Sequence, residues 1–350
     1  MQKKRLGGCM SFPSPLDINK KLPLSPDTAM QIQKHRKQIQ SIILGESPLW
    51  ALVIGPCSLH DPVSALDYSR KLKALQEQVK TTCLLVMRAH IEKPRTCIGW
   101  KGLLYDPYLD GSDNIEAGLS ICRSLYLQIA NLGTPIATEL LDPILAPYFS
   151  DLISWGFIGA RTSSSQIHRQ LASSLSIPIG FKNSTDGDLE SAIQGALAAQ
   201  NSQSFIHINE LGRICPTRSL GNPFAHIVLR GSTFAPNYKS FDIQNALTLS
   251  KKSGLNHRLL VDCSHDNSYK NHMNQKDVCH NILNQCLSGN DRIMGIMIES
   301  HIKAGNQPIT ADSIDPFISI TDPCINWEET EELVYLIHEA LVDSNLLSSL

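Results

Sequence analysis

The chain has 350 residues, a formal net charge of -2 at pH 7 and a pI near 6.6. That balance leaves no global basic field, which excludes nucleic acid and an anionic membrane as expected partners. Ten cysteines are too few and too scattered for a disulfide scaffold or a zinc ribbon, no apolar run approaches the ~18 residues of a membrane span, and no apolar stretch follows the charged start, so a soluble, cytoplasmic protein is expected.

Residues 1–45 read as an N-terminal arm and helix, and residues 46–350 as one catalytic barrel. Residues 1–24 are rich in Lys, Pro, Ser and Gly without a clear period, which reads as an arm. Ser25 then supplies an N-cap and Pro26 a first helical position; Ala29, Ile32, Arg36, Ile39 and Ile43 follow at spacings of three and four, and Gly45 marks the stop. Such a helix must rest on the barrel or on a second subunit, and together with the arm it points to a homo-dimer or homo-tetramer.

From Trp50 onward, short apolar strands alternate with amphipathic helices, the pattern of parallel β/α units. Eight strands are predicted at 51–55, 84–88, 135–139, 157–161, 178–182, 226–230, 259–262 and 293–299. Asp61-Pro62 and Ser112 are expected to open helices, while Gly133, Gly254 and Gly289 close others. The stretch 205–209 and the Gly-, Pro- and Arg-containing residues up to 223 carry no helical period, so they are assigned to a β-hairpin insertion, about 203–224, before strand six. Residues 300–325 form a long loop, and 327–346 has the acidic first turn and Leu333, Ile337, Ala340, Leu341 stripe of a closing helix. The expected fold is therefore α/β, a (β/α)8 TIM barrel with an N-terminal helical extension.

In such a barrel the active site lies at the C-terminal strand ends. Here those ends read Cys57, Arg88, Glu139, Arg161, Lys182, Arg230, His265 and Glu299, every one polar or reactive, whereas a purely structural rim would mix in small and apolar residues. Arg88, Lys93, Arg95, Arg161, Lys182 and Arg230 form a cationic group that would repel itself unless it held anions. A phosphate carries about 1.5 to 2 negative charges near neutrality, so two phosphates and a carboxylate match the group in size. The loop Glu92-Lys93-Pro94-Arg95-Thr96 alone reads more readily as a solvated basic loop; its place beside the other strand ends is what favours phosphate. Cys57, His265, Glu299 and Asp322 form a second group, one thiol, one imidazole and two carboxylates, suited to a catalytic divalent transition metal more than to calcium or structural zinc. His60 and His301 lie near the same mouth as rival ligands or outer supports.

Several stretches resemble the class I 3-deoxy-D-arabino-heptulosonate 7-phosphate (DAHP) synthases: Gly55-Pro56-Cys57-Ser58-Leu59-His60-Asp61-Pro62, Lys93-Pro94-Arg95-Thr96 with Gly99-Trp100-Lys101-Gly102, and Gly159-Ala160-Arg161-Thr162. Gly180-Phe181-Lys182-Asn183, Leu229-Arg230-Gly231, Asp262-Cys263-Ser264-His265, Glu299-Ser300-His301 and Ser319-Ile320-Thr321-Asp322 continue the likeness in order.

The resemblance implies a condensation of phosphoenolpyruvate with erythrose 4-phosphate, at the entry to aromatic amino acid synthesis. It implies one divalent ion (manganese, iron, cobalt or zinc) on Cys57, His265, Glu299 and Asp322. Phosphoenolpyruvate would lie on Arg88, Lys93, Arg161, Lys182 and Arg230, and the tetrose phosphate on Lys93, Arg95 and Thr96. Lys93 is the candidate proton donor to the aldehyde oxygen, and Glu139 is a candidate base or water-positioner that could instead orient Lys93 or Arg161.

Thr138 stands where the family has Gly, and His207 with 210–216 departs from the usual pattern, which leaves feedback by an aromatic amino acid open. Two alternatives remain: a related synthase taking a five-carbon sugar phosphate, and a metabolite-sensing barrel without turnover.

Overall fold

The computed structural model describes residues 12–95, 97–255, 257–310 and 313–344. In chain order its elements are α1 (Pro15–Lys21), α2 (Pro26–Leu44), β1 (Trp50–Gly55), α3 (Pro62–Val79), β2 (Cys83–Arg88), α4 (Ile115–Asn131), β3 (Ile136–Glu139), α5 (Ala146–Phe149), β4 (Trp155–Ile158) and α6 (Gln166–Ser174). They continue with β5 (Ile179–Lys182), α7 (Glu190–Gln200), β6 (Ser204–Ile208), β7 (Ile214–Arg218), β8 (His226–Leu229), α8 (Ser240–Lys252), β9 (Leu259–Asp262), α9 (Gln275–Leu287), β10 (Ile293–Glu299) and α10 (Trp327–Asp343).

Every residue of β1, β2 and β10 is buried, as expected of parallel strands covered on both faces. Eight strands close a barrel in the order β1-β10-β9-β8-β5-β4-β3-β2, and each neighbouring pair is parallel. Ala51, Val53, Val86, Trp155, Phe157 and Met297 fill the interior; Leu52, Ile54, Leu85 and Ile298 point the other way, into the layer shared with the helices. The strand alternation thus builds two cores from one sheet. At Gly295, φ is +149° and a Cβ would lie 1.9 Å from the Ala51 carbonyl oxygen, so glycine permits the register shift between β10 and β9 beside β1.

Helix α2 rests on the barrel. Its last turns contribute Ile39, Ile42 and Ile43 to the barrel's interior cluster, and the Ile43 carbonyl accepts from Arg258 N just before β9. Ser25 accepts from Thr28 N and Gly45 closes the helix at φ +81°, as its sequence predicts. Arg36 is 4% exposed and donates to the carbonyls of Ser150 and Ile153; burial pulls its pKa down to about 10.

Four expectations are corrected. The arm contains α1, closed by a Ser14–Asp17 capping box and tied down by Leu16 N to Glu210 O at 2.8 Å; at seven residues it is too short to show a period. Helix α4 is capped by Asn114, not Ser112, because positive φ at Gly111 and Asp113 turns the chain so that Asn114 accepts from Ala117 N. The fourth strand spans Trp155–Ile158, two to three residues earlier than predicted: the Glu139 carboxylate fills the space beside Gly159, and the chain turns there. The closing helix is seen to Asp343, and residues 345–350 lie outside the described set.

β6 and β7 pair antiparallel, apart from the barrel, as the hairpin before β8. Residues after β10 fold back through bridges at Ser300–Ile325, Gly305–Cys324 and Asn306–Ser319, which return Asp322 to the barrel mouth. Among the described residues no helix is long and apolar enough to cross a membrane.

Candidate active site

Four of the eight strand-end residues are the last residues of their strands: Arg88, Glu139, Lys182 and Glu299. Arg230 follows β8 by one residue, Cys57 follows β1 by two, and Arg161 and His265 each lie three residues beyond β4 and β9. All but Cys57 line one cavity of about 710 Å3 at the C-terminal end, together with Lys93, Arg95 and Asp322. Thr96 lies outside the described residues.

Cys57, Glu299 and Asp322 bring their ligand atoms within 4.8 Å of one another. Lys93 Nζ lies 2.8 Å from both Cys57 Sγ and Asp322 Oδ2, and Cys57 Sγ is 3.3 Å from Asp322 Oδ2. His265 stands one step back, with Nε2 at 3.9 Å from Glu299 Oε1 and Nδ1 at 2.8 Å from Asp262 Oδ2. His60 and His301 pack their rings 5.9 Å apart outside this group.

The electrostatics match a cation-seeking centre. Burial pushes the Cys57 thiol up to about 11, with Glu299 adding to the effect. Burial alone would lower Lys93, but Cys57, Asp322 and Glu299 outweigh it and hold the ammonium above its ordinary value. Burial would raise Asp322, yet Lys93 and His265 keep that carboxyl well below the usual range. Glu299 Oε1 is buried and accepts no well-directed hydrogen bond, although Arg88 Nη2 is 2.8 Å away; Glu299 Oε2 accepts from Ser264 Oγ at 2.5 Å. A thiol, two carboxylates and a nearby imidazole around an under-satisfied oxygen fit a divalent transition metal.

The cations at the mouth are not uncompensated, contrary to what the sequence alone suggests. Several of these cations are already paired with protein carboxylates: Arg88 with Glu299, Lys93 with Asp322, Lys182 with Asp262 at 2.6 Å, and Arg230 with Asp266. These cations are therefore compensated within the protein itself, and the cluster does not depend on a bound anion for its charge balance. Asp262 stays charged, because His265 and Lys182 overcome the burial that would raise it. Arg95 donates from Nε to the Trp100 carbonyl at 2.8 Å, which folds the loop over itself.

Sequence reasoning passed over three residues at this mouth: His90 and Asp266, which line the cavity, and Asp262, fully buried beside it. Asp262, the last residue of β9, and Asp266 stand on either side of His265, and the sequence singles out only the histidine of that run. His90 follows Arg88 by two, so an extended chain turns both to the same side. It is 2% exposed, stacks at 5.2 Å on Phe157, and is held neutral by burial and by Arg88 and Lys182.

Beside Lys93, Glu92 is buried with Tyr105 Oη at 3.3 Å, and Tyr105 also reaches Asp142 at 3.4 Å. Burial, reinforced by Asp142 and Glu139, pushes the Glu92 carboxyl up to about 8.

A closed (β/α)8 barrel whose mouth joins a set of buried cations to a group that could hold a metal ion has the architecture of an enzyme. The chain belongs to the DAHP synthetase I family, whose model matches residues 27–335. It is 46% identical over 330 residues to the Tyr-sensitive phospho-2-dehydro-3-deoxyheptonate aldolase of Escherichia coli (strain K12), covering 94% of this chain and 92% of that protein. It is 42% identical over 344 residues to the Trp-sensitive enzyme of the same name from Enterobacter agglomerans, covering 97% of each. A phospho-2-dehydro-3-deoxyheptonate aldolase from Francisella tularensis SCHU S4 superposes with a TM-score of 0.95 at 39% identity, covering 97% of this chain and 99% of that one. The chain is thus a transferase of this family.

Proposed function

We propose that this enzyme condenses phosphoenolpyruvate with D-erythrose 4-phosphate and water, giving 3-deoxy-D-arabino-heptulosonate 7-phosphate and phosphate, the first step of the shikimate pathway. The observation that carries the reading is the meeting, in one mouth, of the Cys57–Glu299–Asp322 group with Arg88, Lys93, Lys182 and Arg230. Cys57, His265, Glu299 and Asp322 would hold one divalent ion, which supplies Lewis-acid polarisation of the aldehyde when bound.

The chain's own residues supply the rest. Arg88, Arg161, Lys182 and Arg230 bind the phosphate and carboxylate of phosphoenolpyruvate, with Arg forks matching the planar anions and Lys182 a point charge. Lys93, Arg95 and Thr96 bind the tetrose phosphate. The methylene carbon of phosphoenolpyruvate forms a bond to the aldehyde carbon, and Lys93, protonated at neutral pH, gives a proton to the aldehyde oxygen. Water then adds at the carbon bearing the phosphate and phosphate leaves; Glu139, at the end of β3, takes or orients the water proton.

The Tyr-sensitive and Trp-sensitive names of the relatives support an aromatic amino acid as effector here too. Product analysis by mass spectrometry with erythrose 4-phosphate and with a pentose 5-phosphate tests the reading. A seven-carbon product from the tetrose is expected; an eight-carbon product alone would assign the enzyme to the other acceptor.

A further inference from the structure

Arg230 is one of the cations assigned to phosphoenolpyruvate, and it is already engaged. Asp266 lies in the short 3-10 turn after β9, is 7% exposed, and accepts through Oδ2 from Arg230 Nη1. Its other oxygen, Oδ1, is 3.6 Å from the ammonium of Lys270, whose side chain is 69% exposed at the rim. All three residues line the central cavity. The pairing is fixed by the backbone: Gly231 has φ +77°, and a Cβ there would lie 2.6 Å from Asn267 N, so the end of β8 and the turn carrying Asp266 pack directly together. Asp266 is also not a member of the Cys57–Glu299–Asp322 group, and the carboxylate at 2.8 Å from His265 Nδ1 is that of Asp262.

We propose that Asp266 is a built-in competitor for phosphate at Arg230. It neutralises the guanidinium in the free enzyme, swings toward Lys270 when the phosphate group of a ligand arrives, and returns as inorganic phosphate departs. Lys270 makes the exchange affordable in physical terms, since a displaced carboxylate with no second partner would be a buried unpaired charge. The device weakens phosphate binding and favours release of that product, and it acts on the phosphate of phosphoenolpyruvate rather than on that of the tetrose. It rests on the reading of Arg230 as a phosphate ligand.

The test is direct binding of inorganic phosphate and of phosphoenolpyruvate by calorimetry to manganese-loaded protein, for the wild type, Asp266→Asn and Asp266→Ala, together with the KM of each substrate. Asp266→Asn keeps size and an acceptor oxygen while removing the charge, so it remains informative where the alanine variant does not fold. Phosphate should bind on the order of five- to tenfold tighter to Asp266→Asn, with phosphoenolpyruvate moving the same way and the KM for erythrose 4-phosphate unchanged. Unchanged or weaker phosphate binding would overturn the proposal, and weaker binding would mark Asp266 as an orienter of Arg230 only. A wild type that binds neither phosphate nor phosphoenolpyruvate would overturn the functional reading and this proposal together.

Discussion

The Arg88 guanidinium and the Glu299 carboxylate meet at 2.8 Å, each side chain 2% exposed, at the ends of the two strands that flank β1. Arg88 Nη1 also donates to the Pro56 carbonyl at 2.6 Å, immediately before Cys57. One arginine thus supports a buried carboxylate and the loop carrying the thiol beside it. Replacing Arg88 by Ala strands Glu299 without its cation, at a cost of about 3–5 kcal/mol. A large fall in the thermal midpoint is expected, and pairing Arg88→Met with Glu299→Met should recover most of it without restoring activity. An unchanged midpoint in Arg88→Ala would show that the pair does not organise the mouth.

Cys57 is expected to be a ligand rather than a packing thiol. Cys57→Ala should keep the circular dichroism of the wild type and lose metal-dependent turnover together with stoichiometric metal content. Retained turnover and retained metal in the variant would remove Cys57 from the ligand set.

Arg95 belongs to the loop assigned to the tetrose phosphate. Arg95→Ala should raise the KM for erythrose 4-phosphate by about tenfold or more, with a much smaller effect on phosphoenolpyruvate, since a charge-assisted contact to one substrate is lost. Steady-state kinetics with each substrate varied in turn decides the matter; equal effects on both would undo this division of the pocket.

Glu92 gives a pH signature. Its carboxyl sits at about 8 in the fold against an ordinary 4.5. Below pH 4.5 both folded and unfolded chains hold the proton, so its contribution is fully present there. Between 4.5 and about 8 only the folded state keeps it, so stability is lost as pH rises through that window, by on the order of a few kcal/mol. Thermal midpoints of Glu92→Gln should therefore fall less than those of the wild type from pH 5 to pH 8.5. Parallel curves for the two proteins would show that Glu92 is ionised in the fold.

Much of this was legible in the chain because barrel strands are continuous apolar runs that end in a polar residue. Val86-Met87-Arg88 and Ile298-Glu299 announce both the strand and the site at once. Lys182, at the end of β5, could be read in the same way. The pairings could not, because Arg230 and Asp266 or Lys182 and Asp262 face each other only after β8, β9 and β5 are laid side by side. For that reason the cations look uncompensated in sequence, although the counter-ions of Arg88, Lys182 and Arg230 lie one or two strands away. The offset of strand four has a similar origin. Phe157 through Arg161 contains an apolar core, but the chain turns at Gly159 because Glu139 of the neighbouring strand occupies the space a side chain would need.

The most direct test of the account is phosphate release from phosphoenolpyruvate and erythrose 4-phosphate by protein stripped with a chelator and then given manganese, iron, cobalt or zinc in turn. Release that requires both substrates, vanishes on stripping and returns with at least one of these ions is the expected result. Stripped protein that turns over as fast as metal-loaded protein, or no release with any ion, would contradict it.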